Sequence, residues 1–393
     1  MQECLQAWDW QGTPADPVPC GEGHINQTYL VRVDTPGVPK RYILQKINTD
    51  TFRDPDLLME NICGVTEYLR AMILRNGGDP ARETLHVCPT REGKAYYRAS
   101  DGGCWRVYDF VEDTVCLQSV RNAEDFCESA RAFGNFQRRL ARYPVEKLHE
   151  TIPRFHDTPK RLADFESAVR RDPFGRAEAV RREIEFVSAR RDDCRYMTDL
   201  LAAGKLPLRV THNDTKLNNV LLDSATGKGI CVIDLDTVMP GLVANDFGDS
   251  IRFGANDCAE DEPDTSKVHF SLPLYEAYTH SFLQVVGEAL TPLERETLPW
   301  GARLMTLECG MRFLADYLEG DHYFHIQRPA QNLDRARTQF KLVPIWRITG
   351  LICCAPFNKN CVAGKVCFAE NSPSHPIAFS LRRAIIPDAV AKP

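Results

Sequence analysis

The sequence predicts an α+β protein of two lobes: a small antiparallel β-sheet lobe with one helix, then a larger, mainly helical lobe. Three observations lead there. Short β-like segments separated by turn residues fill the first hundred or so positions. From about Glu124 the apolar spacing turns helical, and a β-rich island over residues 208–235 interrupts that helical half. A chain of 393 residues also exceeds what one hydrophobic core usually serves.

The elements follow in order. Residues 27–33 and 41–47 are rich in β-branched and aromatic side chains, with Asp34, Pro36, Gly37 and Pro39 between them, which is the pattern of a hairpin. Over residues 57–74, Leu58, Ile62, Val65, Leu69 and Ile73 recur on one helical face until Asn76-Gly77-Gly78 ends the run. Residues 85–87, 94–98 and 105–111 are further strands. Helices are expected over 123–142, 176–194, 266–286 and 293–318, with strands at 208–211, 220–222 and 230–235 in the island. The lobe break falls near residues 112–118, giving an N-terminal nucleotide-binding lobe over 1–114 and a catalytic and substrate lobe over 115–343. Residues 344–393 form an atypical tail of several prolines with Cys353, Cys354, Cys361 and Cys367, in which helical periodicity is poor.

Composition narrows the function classes. The net charge of −6 offers no general basic face for nucleic acid, and the arginine pairs of the middle helices (Arg138-Arg139, Arg170-Arg171, Arg181-Arg182, Arg190-Arg191) are interspersed with Glu178, Glu183, Glu185 and Asp192. No apolar run approaches the ~20 residues that span a bilayer, and the N-terminus lacks the pattern of a signal peptide. Fifteen scattered cysteines in a chain of this size fit free thiols in a reducing cytoplasm, and the tail cysteines miss the spacing of a structural zinc site. The expectation is a cytoplasmic protein without nucleic-acid or membrane partners; oligomeric state is left open.

The chemistry concentrates in the island, which runs strand, His212-x-Asp214-x-x-x-x-Asn219, strand, then Ile233-Asp234-Leu235-Asp236. Phosphoryl transfer needs an oriented acceptor hydroxyl and metal ions on the phosphates more than covalent help. Asp214 suits the base that takes the hydroxyl proton. Asn219 and Asp234 offer the oxygen ligands that Mg²⁺ prefers, and Asp236 either assists a second metal or holds the hairpin. A turn with Asx caps would explain one such motif alone but not both at hairpin distance. Upstream, Gly21, Gly23, Asn26 and Thr28 fit a loop that covers ATP phosphates. Lys46 on the next strand is a phosphate ligand, with Glu60 preferred over Glu67 as its helix partner. Backbone at 108–112, including Tyr108 and Val111, is placed against adenine. His212 is expected to be structural.

This order of glycine loop, strand Lys, helix Glu, HxDxxxxN and IDxD resembles the aminoglycoside phosphotransferase and choline kinase group, a branch of the protein-kinase-like fold, over about residues 15–340. Longer stretches, at 214–220, 232–241, 245–254, 312–318 and 332–339, are similar to the N-acetylhexosamine 1-kinases. The resemblance implies phosphorylation of GlcNAc or GalNAc at the anomeric hydroxyl with ATP and Mg²⁺. It also implies a substrate site at Asp214, Arg312 and Tyr323, with Asp246 and Asp249 supporting the catalytic loop. Related readings are a kinase of an aminoglycoside, choline or another sugar, and a catalytically silent binding protein on the same fold. The tail after Val343 departs from the family, where a final helix is expected.

Overall fold

A computed structural model describes residues 1–21 and 25–343; Gly23 and the tail of residues 344–393 lie outside the described residues. The chain opens with α1 (Gln2–Gln6), β1 (Thr13–Pro14), β2 (Val18–Pro19), β3 (Gln27–Asp34) and β4 (Lys40–Ile47). After α2 (Pro55–Arg75) and α3 (Pro80–Glu83) come β5 (Tyr97–Arg98) and β6 (Cys104–Asp109). The strands make one antiparallel sheet in the order β1-β3-β4-β6-β5, with β2 also on β3.

The register of this sheet decides which residues reach the cleft. Across β4 and β6 the pairs include Ile43↔Tyr108, Leu44↔Val107, Gln45↔Arg106 and Lys46↔Trp105. Side chains alternate between faces of a strand, so Ile43, Gln45, Arg106 and Tyr108 share one face and Leu44, Lys46, Trp105 and Val107 the other. The second face packs on Cys4, Leu5 and Trp8 of the N-terminus. The first packs on Met59, Ile62 and Val65 of α2 and, beyond them, on Leu235 and Val238 of the β-rich island, so one apolar cluster joins sheet, helix and island.

Helix α2 begins where Asp54 caps Asp56 N and Leu57 N with Pro55 in its first turn, and its buried stripe is the one the periodicity predicts. Asn61, 1 % exposed, ties it to the other lobe by donating to the carbonyls of His149 and Val238.

The helical lobe starts with β7 (Thr114–Cys116) and continues through α4 (Ala123–Leu140), α5 (Thr158–Arg171), α6 (Arg181–Ser188) and α7 (Tyr196–Ala202). The island supplies β8 (Arg209–Thr211), β9 (Val220–Asp223), β10 (Gly229–Val232) and β11 (Met239–Gly241), and α8 (Val243–Gly254), α9 (Leu272–Val286), α10 (Pro292–Glu319) and α11 (Gln331–Leu342) follow. The helix predicted over 176–194 shortens to α6 with 3-10 turns on either side. The one predicted over 266–286 starts at Leu272, where Ser271 caps Leu274 N. Residues 85–87 contribute a single bridge, Val87↔Tyr108. Helix α8 has no side-chain cap, and its buried apolar residues Val243, Phe247 and Ile251 are interleaved with the buried polar residues Asp246, Asp249, Ser250 and Arg252, which mask the helical spacing.

Two glycines let α8 and α10 touch backbone to backbone. A Cβ on Gly301 would fall inside van der Waals contact with the Ala244 carbonyl, and one on Gly248 would strike the backbone of Gly301. Among the described residues no helix is long and apolar enough to cross a membrane, and the eleven cysteines are free thiols.

Candidate active site

Strand β8 pairs with β11, Met239↔Thr211 to Gly241↔Arg209, and β9 pairs with β10. The loop from His212 to Asn219 is therefore clamped between two strand pairs. Two residues sit in left-handed backbone, Asn213 (φ +64°) and Asp234 (φ +59°). Asn and Asp tolerate that region better than other non-glycine residues, so local sequence and loop geometry agree. His212, 0 % exposed, joins the two halves: its Nε2 lies 2.9 Å from the Ile233 carbonyl and its Nδ1 accepts from Asp214 N.

Helix α8 holds the loop from below. Asp246 accepts hydrogen bonds from His212 N (2.9 Å), Asn213 N (2.8 Å) and Gln137 Nε2 (2.6 Å). Asp249 accepts from Thr215 N (3.0 Å) and Arg252 Nε (2.9 Å), and Ser250 donates to the Thr215 carbonyl. A carboxylate that satisfies loop N–H groups fixes their direction as well as their energy. This is why the Gly248–Gly301 contact matters: it sets how deeply α8 seats.

Above the loop, acidic groups converge. Lys216 Nζ lies 2.8 Å from Asp214 Oδ1, while Asn219 Nδ2 donates to the Asp214 carbonyl (2.8 Å) and to Oδ2 (3.1 Å). Burial opposes ionisation of Asp214, but the Lys216 ammonium overrides it and holds the carboxyl below its ordinary value. Asp234 is open to solvent on its cleft side, yet protein crowds it. That burial, with the carboxylates of Asp236 and Asp214, pushes it up to about 6. A carboxylate so crowded by like charge favours a cation beside it. With the Asn219 NH₂ spent on Asp214, the atom left to a cation is the carbonyl Oδ1, a hard oxygen like those of Asp234. The donor set fits Mg²⁺.

Asp236 departs from the metal expectation. It is 2 % exposed, one oxygen accepts from Asn26 Nδ2 at 2.6 Å, and the other lies 2.6 Å from Arg106 NH2. The Arg106 contact is a charge pair between two buried side chains. Both oxygens are occupied by protein, so Asp236 holds the hairpin.

Two further corrections concern the N-terminal lobe. Lys46 stands on the sheet face turned away from the cleft, 3.9 Å from Asp101 and over the Trp105 ring. Glu60 pairs with His149 at 2.7 Å, and Glu67 is exposed. No Lys46–Glu pair forms, because the parity of β4 sends Gln45 inward and Lys46 outward. Arg106 of β6 occupies the inward position. Fully buried, it donates to Gln45 Oε1 through Nε (3.1 Å) and NH2 (2.9 Å), packs over the Tyr108 ring, and faces Met59 of α2. Gln45 in turn donates to Thr28 Oγ1 (3.0 Å), and Asn26 Oδ1 accepts from Asn48 N (2.9 Å).

Arg106 therefore links Thr28 through Gln45 and Asn26 through Asp236, tying the start of β3 and the residues just before it to the island. Gly21 has the positive φ (+81°) that such a turn requires. Tyr108 lies within the sheet between Ile43 and Val87, and its ring is buried in the apolar cluster beneath the sheet. Val111 follows the end of β6 and its carbonyl accepts from Thr114 Oγ1.

The residues expected to meet the acceptor lie on α10, beside the segment that leads into α5. His156 Nε2 lies 3.1 Å from the Asn213 carbonyl and Nδ1 2.9 Å from Glu308 Oε1. One helical turn on, Arg312 lies 5.4–5.8 Å from the ring centroids of Phe155, Tyr323 and Phe324. It has no ion pair among the described residues. Tyr323 is 61 % exposed. Its segment is held because Asp316 accepts from the N–H groups of His322, Tyr323 and Phe324 and from Asn332 Nδ2.

Sequence reasoning missed Lys216, Arg106, Asp316 and the His156–Glu308 pair. Only Lys216 carried a local signal, its position two residues beyond Asp214.

The architecture and the island define a two-lobed, protein-kinase-like phosphotransferase. The description "Phosphotransferase enzyme family" matches residues 17–278, well over half of the chain, and the chain belongs to that family. Among solved structures it is similar to a microcompartment-associated aminopropanol kinase (18% identity, TM-score 0.54, 89% of this chain and 97% of that one). It is also similar to an aminoglycoside phosphotransferase from Alicyclobacillus acidocaldarius (14%, 0.56, 90% and 94%) and to the GDP complex of an aminoglycoside 2'-phosphotransferase (14%, 0.51, 84% and 93%). At these identities the likeness shows the shared fold.

Proposed function

We propose that this phosphotransferase moves the γ-phosphoryl group of ATP to the anomeric hydroxyl of an N-acetylhexosamine, GlcNAc or GalNAc, with Asp214 as the base. Nucleotide use is supported by the family and by the nucleotide complex of a structural neighbour. The observation that carries the acceptor class is Arg312, a cation among three aromatic rings with no described carboxylate in ion pair with it. A planar guanidinium donates to sugar oxygens or an acetamide carbonyl, and exposed rings such as Tyr323 suit the apolar face of a pyranose. A cationic acceptor such as choline or an aminoglycoside would meet like charge there, from Arg312 and from neighbouring Arg161.

In the proposed reaction Asp214, held ionised by Lys216, aligns the acceptor hydroxyl and takes its proton as the new O–P bond forms and the bond from the γ-phosphorus to the bridging oxygen breaks, releasing ADP. Asn219 fixes the rotamer of Asp214, and the backbone bonds from Asp246 and Asp249 fix the loop beneath it. Asn26, anchored on Asp236, holds the start of β3 beside the phosphates. Mg²⁺, when bound, would be held by Asn219 Oδ1 and Asp234 and would neutralise phosphate charge.

The test is a phosphate-transfer panel with ATP and Mg²⁺ against GlcNAc, GalNAc, glucose, galactose, choline and kanamycin. Transfer to the N-acetylhexosamines, with sugar 1-phosphate as product, is expected. Activity confined to choline or kanamycin would sink the sugar assignment, and bound nucleotide without turnover on any acceptor would sink the catalytic one.

A further inference from the structure

On the outer face of the sheet, away from the cleft, three different metal-binding side chains meet. His86 Nδ1, Cys88 Sγ and one carboxylate oxygen of Asp109 all lie within 4.8 Å of one another, the one such His/Cys/Asp/Glu group among the described residues. Backbone pairing creates the meeting. The bridge Val87↔Tyr108, with Cys88 N donating to the Val107 carbonyl and Asp109 N to the His86 carbonyl, lays residues 86–88 along β6. Val87 and Tyr108 turn inward to the apolar cluster under the sheet. His86 and Cys88, two residues apart, then fall on the opposite face with Asp109 directly across. The segment is further pinned by Trp8 Nε1 donating to the Cys88 carbonyl at 3.0 Å.

We propose that His86, Cys88 and Asp109 form a binding site for a borderline divalent cation, Zn²⁺ foremost, independent of the phosphotransfer centre. The donor set selects the metal. Imidazole nitrogen and thiolate sulfur together disfavour Mg²⁺ and Ca²⁺, which take oxygen ligands, and suit Zn²⁺ or Co²⁺. Zn–N near 2.0 Å and Zn–S near 2.3 Å place tetrahedral ligands about 3.3–3.7 Å apart.

The Cys88 Sγ to Asp109 Oδ1 distance of 3.5 Å already matches that spacing. The 2.6 Å His86 Nδ1 to Asp109 Oδ2 hydrogen bond is replaced when the metal takes the place of its proton, with a small rotation of the carboxylate. Binding releases the protons of the thiol and, where present, of the imidazolium. The His86 and Asp109 side chains are 39 % and 48 % exposed, which leaves an entry path and room for water as a fourth ligand. Since β6 also carries Arg106 on its other face, a metal here would brace the strand that positions the cleft cation.

The test is titration of the reduced, chelator-treated full chain with Co²⁺ in excess Mg²⁺, followed by absorption, then displacement with Zn²⁺. One thiolate-to-cobalt charge-transfer band saturating at one equivalent is expected, together with its loss in Cys88→Ser. In His86→Gln, Co²⁺ binding should weaken by about tenfold or more, since loss of a direct ligand costs at least as much as loss of the outer-shell partners that cost 10–100-fold. No band in the full chain, or the same band in Cys88→Ser, overturns the site. The second outcome would point to cysteines elsewhere, such as Cys353 and Cys354. If metal-free Cys88→Ser fails to fold by circular dichroism, the partly exposed His86→Gln decides alone, and unchanged affinity there overturns the proposal.

Discussion

Replacing Arg106 with methionine tests which cation organises the cleft. The Arg106 and Asp236 side chains are 1 % and 3 % exposed and 2.6 Å apart. Removing one partner of a buried pair leaves the other charge uncompensated, a loss of about 3–5 kcal/mol. Domains are stable by only ~5–15 kcal/mol, so Arg106→Met should remain folded but melt well below the wild type.

Asn26 and Gln45 lose their shared anchor in the same variant, and a shift of roughly 1 Å in positioning groups can cost about 10²-fold in rate. Phosphate transfer should fall at least that far. Lys46→Met is the control. Lys46 is 35 % exposed and faces an Asp101 side chain that is 67 % exposed at 3.9 Å. Such surface pairs contribute about 0–1 kcal/mol, so stability should shift by no more than that and turnover should stay near wild type. Adding Asp236→Asn to Arg106→Met should recover part of the lost stability, because the stranded charge is gone. The assays are urea unfolding and initial rates of transfer. Abolished transfer in Lys46→Met at wild-type stability, with Arg106→Met unaffected in both, would refute the reasoning and return the cleft cation to β4.

Asp214→Asn should lower turnover by about 10²–10⁴-fold while nucleotide still binds in a fluorescence titration; near-normal turnover would remove Asp214 from the base role. Gly301→Ala should destabilise the fold by about 1–3 kcal/mol through overpacking against Ala244 and lower turnover by unseating α8. Unchanged thermal unfolding would show that the helices can part without cost. Burial pulls His156 down, but the Glu308 carboxylate lifts it above 6.5, and Glu308 is itself held below 4.5. Asp249, Arg161 and Arg312 are the other charges facing this pair. The stability from His156 is full below about pH 6.5 and is lost as pH rises through its raised folded value; that from Glu308 is present above about 4.5 and is lost on acidification. The destabilisation caused by His156→Gln, measured by urea unfolding across pH, should therefore be largest between about pH 4.5 and 6.5 and shrink above. A pH-independent difference would contradict the ion pair.

Legibility followed distance along the chain. Asp214, Asn219 and Asp234 stand within one hairpin-sized segment, and their spacing survives folding because β8, β9, β10 and β11 follow one another locally. The β3–β4 hairpin and the stripe of α2 were legible for the same reason. Helix α8 was not, since its core residues Val243, Phe247 and Ile251 are interleaved with buried polar residues that serve the loop, and no side chain caps its start. Arg312 and Tyr323 entered by resemblance alone, and the Asp316 carboxylate that holds the Tyr323 segment acts through backbone N–H groups that no residue pattern displays.

Sequence alone determined the reaction class, because the proposed base and its two oxygen-ligand candidates are fixed by local spacing between short strands. It also led to the expectation that a basic residue on the sheet, Lys46, turns toward the cleft. Only the tertiary structure decided which one. Side-chain direction on a strand reverses with every residue, so Gln45 rather than Lys46 turns inward. The inward cation is Arg106, sixty positions downstream, paired with Asp236 rather than with a Glu of α2. Such a pair depends on register and on packing between lobes, and neither is written in the spacing of nearby residues.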